Sequence, residues 1–240
     1  MGKKYVMAPN QLLPAAPTFD STTIWTRTKL NYDRRALLPA WDLFIQSAGK
    51  GINTDGFQYD LVDITRQVLA NYAGPLQKKW VAAYKEKDTA AFNKYSKAFI
   101  QLISDMDVLL ATRKDFMLGP WLSTARSHGT TPAEKALYEQ NARDLITLWG
   151  DANSPLHEYS NRQWSGLLND FYKPRWQQFF AMLQQSLRTG AEPDLKQFEA
   201  TIKDWEWKWV KMQKAFPVEP VGNSVAVSLQ MYKKYRKEVE

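Results

Sequence analysis

From Asp33 to the end of the chain, apolar side chains return every three or four residues, and that period leaves little choice of fold. Leu37, Leu38, Trp41, Phe44 and Ile45 share one helical face. Leu61, Ile64, Val68 and Tyr72 repeat in the same way until Gly74-Pro75, where a helix is expected to break or kink. Phe92, Tyr95, Phe99, Leu102, Met106 and Leu109 make a third stripe. Thr131-Pro132-Ala133-Glu134 spells a capping box with proline at the first helical position. It predicts a helix running to Trp149, with Gly150 as its C-cap. A further helix is predicted over 160–188, ending at Gly190 and bent or restarted at Pro174. Leu195, Phe198, Ile202, Trp205, Trp209, Met212 and Phe216 keep the rhythm until Pro217 and Pro220 stop it, and a last helix covers 224–237.

Alternating strand patterns are missing, as are hairpin signals such as Asn-Gly. The predicted class is therefore all-α: a helical bundle-like domain of seven or eight helices joined by short loops, over residues 34–240. Residues 1–33 hold Pro9, Pro14 and Pro17 and show no period. They read as an extended linker that docks through Phe19, Ile24 and Trp25. A chain of 240 residues suits one large domain and is short for two. No apolar run reaches the length of a membrane span. Lys3 and Lys4 are followed by no apolar stretch, so no signal peptide is read in this chain.

Several chemistries are excluded or disfavoured by composition. With no cysteine, disulfides and thiolate chemistry are impossible, and so are metal sites built from Cys and His together. The two histidines, His128 and His157, sit in no metal-ligand spacing, and no Gly-rich phosphate loop or nucleophile elbow occurs. The net charge of +7 comes from scattered groups, among them Lys78, Lys79, Lys85, Lys87, Lys233, Lys234, Arg236 and Lys237. A nucleic-acid stripe is one reading of that charge; a solvated helical surface is the plainer one and is preferred. Asp60, Asp63 and Arg66 are spaced for local ion pairing, and Asp105 and Asp107 face different sides of one helix. The absence of any Asn-x-Ser/Thr acceptor leans towards a bacterial source.

The informative residues are aromatic: ten Trp, eleven Tyr and eleven Phe. Most lie on the periodic stripes and belong to a core. Trp149 stands apart, at a predicted helix end beside Gly150 and the loop Asp151–Glu158, where an indole can overhang a cleft. Sugar sites use flat aromatic faces beside a few placed polar groups, because pyranose C–H faces are apolar and their rims are hydroxyl. Core packing and a pocket wall both remain open for Trp149 on this ground.

Four stretches carry a resemblance: YDLVDITRQ (59–67), FMLGPWLSTAR (116–126), YEQNARDLITLWG (138–150) and EYSNRQWSGLLNDFYKPRW (158–176). In order and spacing they are similar to glycoside hydrolase family 89, the α-N-acetylglucosaminidases, and the likeness extends from about Pro17 to Tyr235. TTIW (22–25) looks like the family's bridge between two domains. The resemblance implies a C-terminal all-α domain that follows a (β/α)8 barrel and walls its sugar pocket. The family's two catalytic glutamates lie in that barrel, so no catalytic residue is expected in this chain, and the fragment alone is expected to be inactive.

The implied reaction is exo-hydrolysis of terminal α-linked N-acetylglucosamine with retention. No metal or organic cofactor is implied. The expected partners are the glycan and the catalytic barrel of the same protein, without nucleic acid or a membrane span. Export to the periplasm or surface of a bacterium is also expected. Trp149, Leu156 and Tyr159 match the family's substrate-binding positions, although DANSPLHE before Tyr159 is one residue longer than the family pattern. Arg143 and Arg175 match motif positions that read as buried structural ion pairs. The competing classes are a free-standing helical carbohydrate- or protein-binding module and a basic nucleic-acid binder.

Overall fold

Five helices begin where the sequence places a side-chain acceptor for the unpaired N–H groups of a first turn. Thr54, Asp88, Thr131, Asp194 and Asn223 take the backbone N–H of Phe57, Ala91, Glu134, Gln197 and Ala226. The capping box at Thr131 is complete, because the Glu134 carboxylate returns to the N–H groups of Thr130 and Thr131 at 2.7 and 3.1 Å. The Thr130 hydroxyl is the strongest of the contacts that hold the Glu134 carboxyl down to about 2.

A computed structural model describes residues 12–19, 32–52, 54–151, 154 and 160–240. Among these, eight α-helices occur and no β-strand. They are α1 (Leu38–Gly49), α2 (Asp55–Lys85), α3 (Thr89–Leu110), α4 (Leu118–Ser127), α5 (Pro132–Leu145), α6 (Lys173–Thr189), α7 (Leu195–Val210) and α8 (Ser224–Tyr235). The long pair α2 and α3 forms the central layer. α1 and α8 pack against α2 and each other, α6 packs against α3, and α4 and α5 pack together as a pair. None of the described helices is long and apolar enough to cross a membrane.

Helix limits differ from the sequence expectation at four places. α2 does not break at Pro75 but continues to Lys85, with buried residues on both sides, from Leu69 to Trp80, anchoring it against its neighbours. That packing outweighs the roughly 3 kcal/mol that an interior proline costs. The helix predicted to reach Trp149 ends at Leu145. There the Thr147 hydroxyl occupies the Arg143 carbonyl at 2.7 Å, the acceptor that a continuing helix would offer to the Thr147 N–H. The stripe through Met212 and Phe216 leaves the helix at Val210, because the Arg143 guanidinium takes the Lys214 carbonyl at 2.9 Å and draws the chain across. The helix predicted from 160 begins only at Leu168. It opens with a π-helical turn, Leu168–Tyr172, and passes into α6 at Lys173, next to Pro174.

The core is aromatic at its centre. Trp80 of α2 meets Trp176, Phe179 and Phe180 of α6 with centroids 5.2–6.2 Å apart, mostly edge to face. Phe99 of α3 closes on Trp176 at 4.7 Å. Leu12–Phe19 packs into this same body: Leu13 is fully buried, its carbonyl accepts from Trp176 Nε1 at 3.0 Å, and Phe19 lies against Trp80, Tyr84 and Phe179. The other two residues of the expected docking trio, Ile24 and Trp25, lie outside the described residues, as does TTIW.

Two arginines are buried with their acids, as their motif positions imply. Arg143 pairs with Glu139 at 2.7 Å, and Arg126 takes the other oxygen of that carboxylate, also at 2.7 Å. Arg175 pairs with Glu206 at 3.0 Å and lies over the Phe171 ring at 5.1 Å. Breaking such a pair strands a buried charge. Arg143→Ala is expected to lose about 3–5 kcal/mol of stability in urea unfolding, and Glu139→Gln with Arg143→Met less than the sum of the two single changes.

At the α1–α8 contact, Asp42 accepts from Arg236 at 2.6 and 2.9 Å and from the Tyr232 hydroxyl at 2.8 Å. The Arg236 guanidinium holds its carboxyl below the usual aspartate range. A lowered folded pKa contributes stability above the unfolded value, and that contribution disappears as pH falls through the folded value. The unfolding midpoint should therefore drop as pH falls below the ordinary carboxylate range. Asp42→Asn should flatten part of that dependence in a pH series of denaturant melts.

Candidate functional site

The buried face of α5 carries Glu139, Ala142 and Arg143, and the turn that follows buries Ile146 and Leu148. These anchors leave Trp149 at the rim. Two backbone N–H groups, of Thr147 and Trp149, converge on the Asp144 carbonyl at 3.1 and 2.8 Å, and the Gly150 N–H meets Asp144 Oδ1 at 3.2 Å. The chain reverses at Trp149 itself, with φ at +63°, and not at the expected Gly150. A left-handed backbone on a bulky residue costs on the order of 1–3 kcal/mol and persists only where its surroundings impose it. The indole is half-buried and its Nε1 is shielded from solvent.

The other two expected substrate-binding residues, Leu156 and Tyr159, lie outside the described residues. The remaining aromatics of this region divide cleanly. Phe171 and Trp176 are fully buried and belong to the core. Trp164 is half-buried, 6.0 Å from Trp121. Trp121 in turn donates its indole N–H to the Ala142 carbonyl of α5 at 2.9 Å. Trp209 is core, and its Nε1 donates to Asp170 at 2.8 Å.

A second arrangement was not foreseen from the sequence. FMLGPW and WSG, far apart along the chain, are stitched together by Ser165 N donating to Phe116 O at 2.8 Å and Leu118 N to Ser165 O at 3.0 Å. Asp107 lies beneath this joint. Its carboxylate accepts from the N–H of Gly166 at 2.7 Å, the N–H of Asn169 at 3.1 Å and the Ser165 hydroxyl at 3.2 Å. Burial pushes its pKa up, and these three donors oppose the rise. A cavity of about 230 Å³ opens beside it, lined by Met117, Gly119, Phe216 and Val221 among others. A Cβ on Gly119 would stand 1.9 Å from the Pro217 carbonyl oxygen, so glycine alone fits there. The glycines inside the two quoted motifs were the only sequence signal of the joint. With Oδ1 holding two backbone N–H groups and Oδ2 the Ser165 hydroxyl, Asp107 ties the joint together.

Hydrolytic acid–base pairs require two carboxyl groups at a defined separation in a cleft. Among the described residues, the buried carboxylates are committed elsewhere: Glu139 to two arginines, Glu206 to Arg175, and Asp107 to the joint. No described group of three His, Cys, Asp or Glu could hold a metal. Part of the positive surface is neutralised: Lys234 pairs with Asp105, and Arg236 pairs with Asp42 and with Glu240 at 2.7 Å.

A family model described as the α-N-acetylglucosaminidase (NAGLU) C-terminal domain matches residues 2–234. Human α-N-acetylglucosaminidase is 32% identical over 216 residues, covering 90% of this chain and 28% of that protein. A family 89 glycoside hydrolase from Clostridium perfringens, solved in complex with 2-acetamido-1,2-dideoxynojirmycin, superposes with a TM-score of 0.86 at 30% identity. That match covers 98% of this chain and 27% of the bacterial one. A variant from the same organism, solved with its substrate GlcNAc-α-1,4-galactose, gives a TM-score of 0.85 at 29% identity, over 97% of this chain and 28% of that one. The chain thus spans under a third of the relatives it matches, and it belongs to the family of α-N-acetylglucosaminidase C-terminal domains.

Proposed function

We propose that this chain is the helical wall of the sugar pocket in an exo-acting, retaining α-N-acetylglucosaminidase. The enzyme removes terminal α-linked N-acetylglucosamine from glycans. The two carboxyl groups of a retaining hydrolase, one acting as nucleophile and the other as acid and base, belong to a barrel domain of the same protein and not to these 240 residues. The helical domain contributes shape. It offers an aromatic face for the apolar side of the sugar or for its N-acetyl group, and it excludes water from the reacting carbon. Leu156 and Tyr159 share that role with Trp149. The enzyme is bacterial and exported to the periplasm or cell surface, where glycans are met.

One observation carries this reading: within a family whose relatives are solved with N-acetylglucosamine-type ligands, Trp149 is held half-buried on a left-handed backbone at the rim of α5. A core tryptophan needs no such conformation, as the fully buried Trp80 and Trp176 in the middle of helices illustrate.

The isolated chain should fold and hydrolyse no aryl α-N-acetylglucosaminide; turnover by fragment freed of host enzyme would overturn the assignment of the acids to another domain. Trp149→Ala in the intact enzyme should lower kcat/KM at least tenfold, in line with about 1–3 kcal/mol for an aromatic–ligand contact. The same change in the isolated domain should leave the melting temperature nearly unchanged, whereas truncating a core tryptophan costs roughly 3–5 kcal/mol. A large loss of stability, or normal hydrolysis, would return Trp149 to packing.

A further inference from the structure

We propose that Asp144 is the positioning residue for Trp149: its carboxylate, acting through the backbone at Gly150, holds the indole in the orientation the sugar pocket uses. This inference rests on the reading of Trp149 as a pocket wall. Among the described residues, Asp144 supplies three acceptor contacts to the turn. Its carbonyl takes the N–H of Thr147 and Trp149, and its side chain takes the N–H of Gly150. The carbonyl contacts would survive any substitution at this position. The side-chain contact would not, and it grips the peptide immediately after the residue with φ at +63°. Without it, nothing at residue 144 prevents that peptide from relaxing toward the right-handed region that a non-glycine residue prefers. The Trp149 Cα–Cβ direction would swing with it.

The placement of Asp144 argues that it serves this turn rather than the helix. It lies in the last turn of α5, where the unpaired carbonyls of the helix end repel a negative charge. Aspartate is also a poor helix former. Each helical consideration favours another residue at this position, which fits a carboxylate that reaches past the helix end to the Gly150 N–H. Arg143, one residue earlier, is instead fully buried and bound to Glu139 and Lys214, so the two neighbours divide the work. Arg143 fixes the helix to the core, and Asp144 fixes the turn to the helix.

The test is a set of variants in the intact enzyme: Asp144→Ala, Asp144→Asn, Trp149→Ala, and Asp144→Ala combined with Trp149→Ala. Steady-state kinetics on an aryl α-N-acetylglucosaminide and thermal melts are read for each. Asp144→Ala should lower kcat/KM about five- to tenfold, chiefly through KM, with an unchanged melting temperature. Asp144→Asn keeps an acceptor for the Gly150 N–H and should restore most of the activity. Because Asp144 acts through the indole, the double variant should be no worse than Trp149→Ala alone. Full activity of Asp144→Ala, failure of Asn to rescue, a lowered melting temperature, or a loss that multiplies with that of Trp149→Ala would each overturn the positioning role while leaving the pocket reading intact. Normal kinetics for Trp149→Ala would instead overturn the pocket reading itself.

Discussion

The Arg143 guanidinium is the contact on which the end of α5 and the turn at Trp149 depend. It is fully buried, paired with Glu139 on its own helix, and stacked over Trp209 of α7 at 4.7 Å. It also faces Phe216 at 5.4 Å and donates to the Lys214 carbonyl. One side chain therefore joins α5, α7 and the segment beyond α7. A charge placed so far from water is tolerated only because its acid, its carbonyl and the faces of two rings surround it. Its own carbonyl, taken by Thr147, ends α5 four residues before Trp149. The position of the rim aromatic follows from a residue that never reaches the rim.

From that joint the structure builds outward by packing. The segment after α7, drawn in by Arg143, brings Pro217 against Gly119 and Phe216 against Gly166. Those two glycines belong to the paired stretches that Asp107 binds from below. Arg143 and Asp107 thus bind the two partners of this contact, one with a buried cation and the other with a buried carboxylate. Between them they tie the α4–α5 hairpin to the central helices.

The aromatic content serves two ends that composition does not separate. Trp80, Trp176, Phe179 and Phe180 fill volume between helices, and Trp176 also carries a polar handle that ties Leu13 to the core. Trp121 and Trp164 sit half-buried at the α4–α5 side, and Trp149 stands beyond them on a strained backbone. What distinguishes the last is its main-chain conformation, which is not a property of the residue type.

Much of the fold was legible in the sequence because helices are local objects. The stripes of α1, α2, α3 and α7, the capping box of α5 and the glycine after α6 each rest on residues within a few turns of one another. The quoted motifs also contain residues whose need is tertiary: a Cβ at Gly119 or Gly166 would collide with the segment Phe216–Pro217. Helix ends were read less well. α5 and α7 stop early because Thr147 and Arg143 capture carbonyls, and those choices involve rivals for the same acceptor. α2 continues past its proline because its neighbours hold it. Trp149 could be picked out as a rim residue from LITLWG, but not its left-handed backbone, nor the carboxylate that grips the peptide after it. Periodicity and capping, being local, were determined by the sequence alone. Where each helix yields to the next, and which way the rim indole faces, was decided only in the tertiary structure, where distant groups compete for the same hydrogen bonds and the same space.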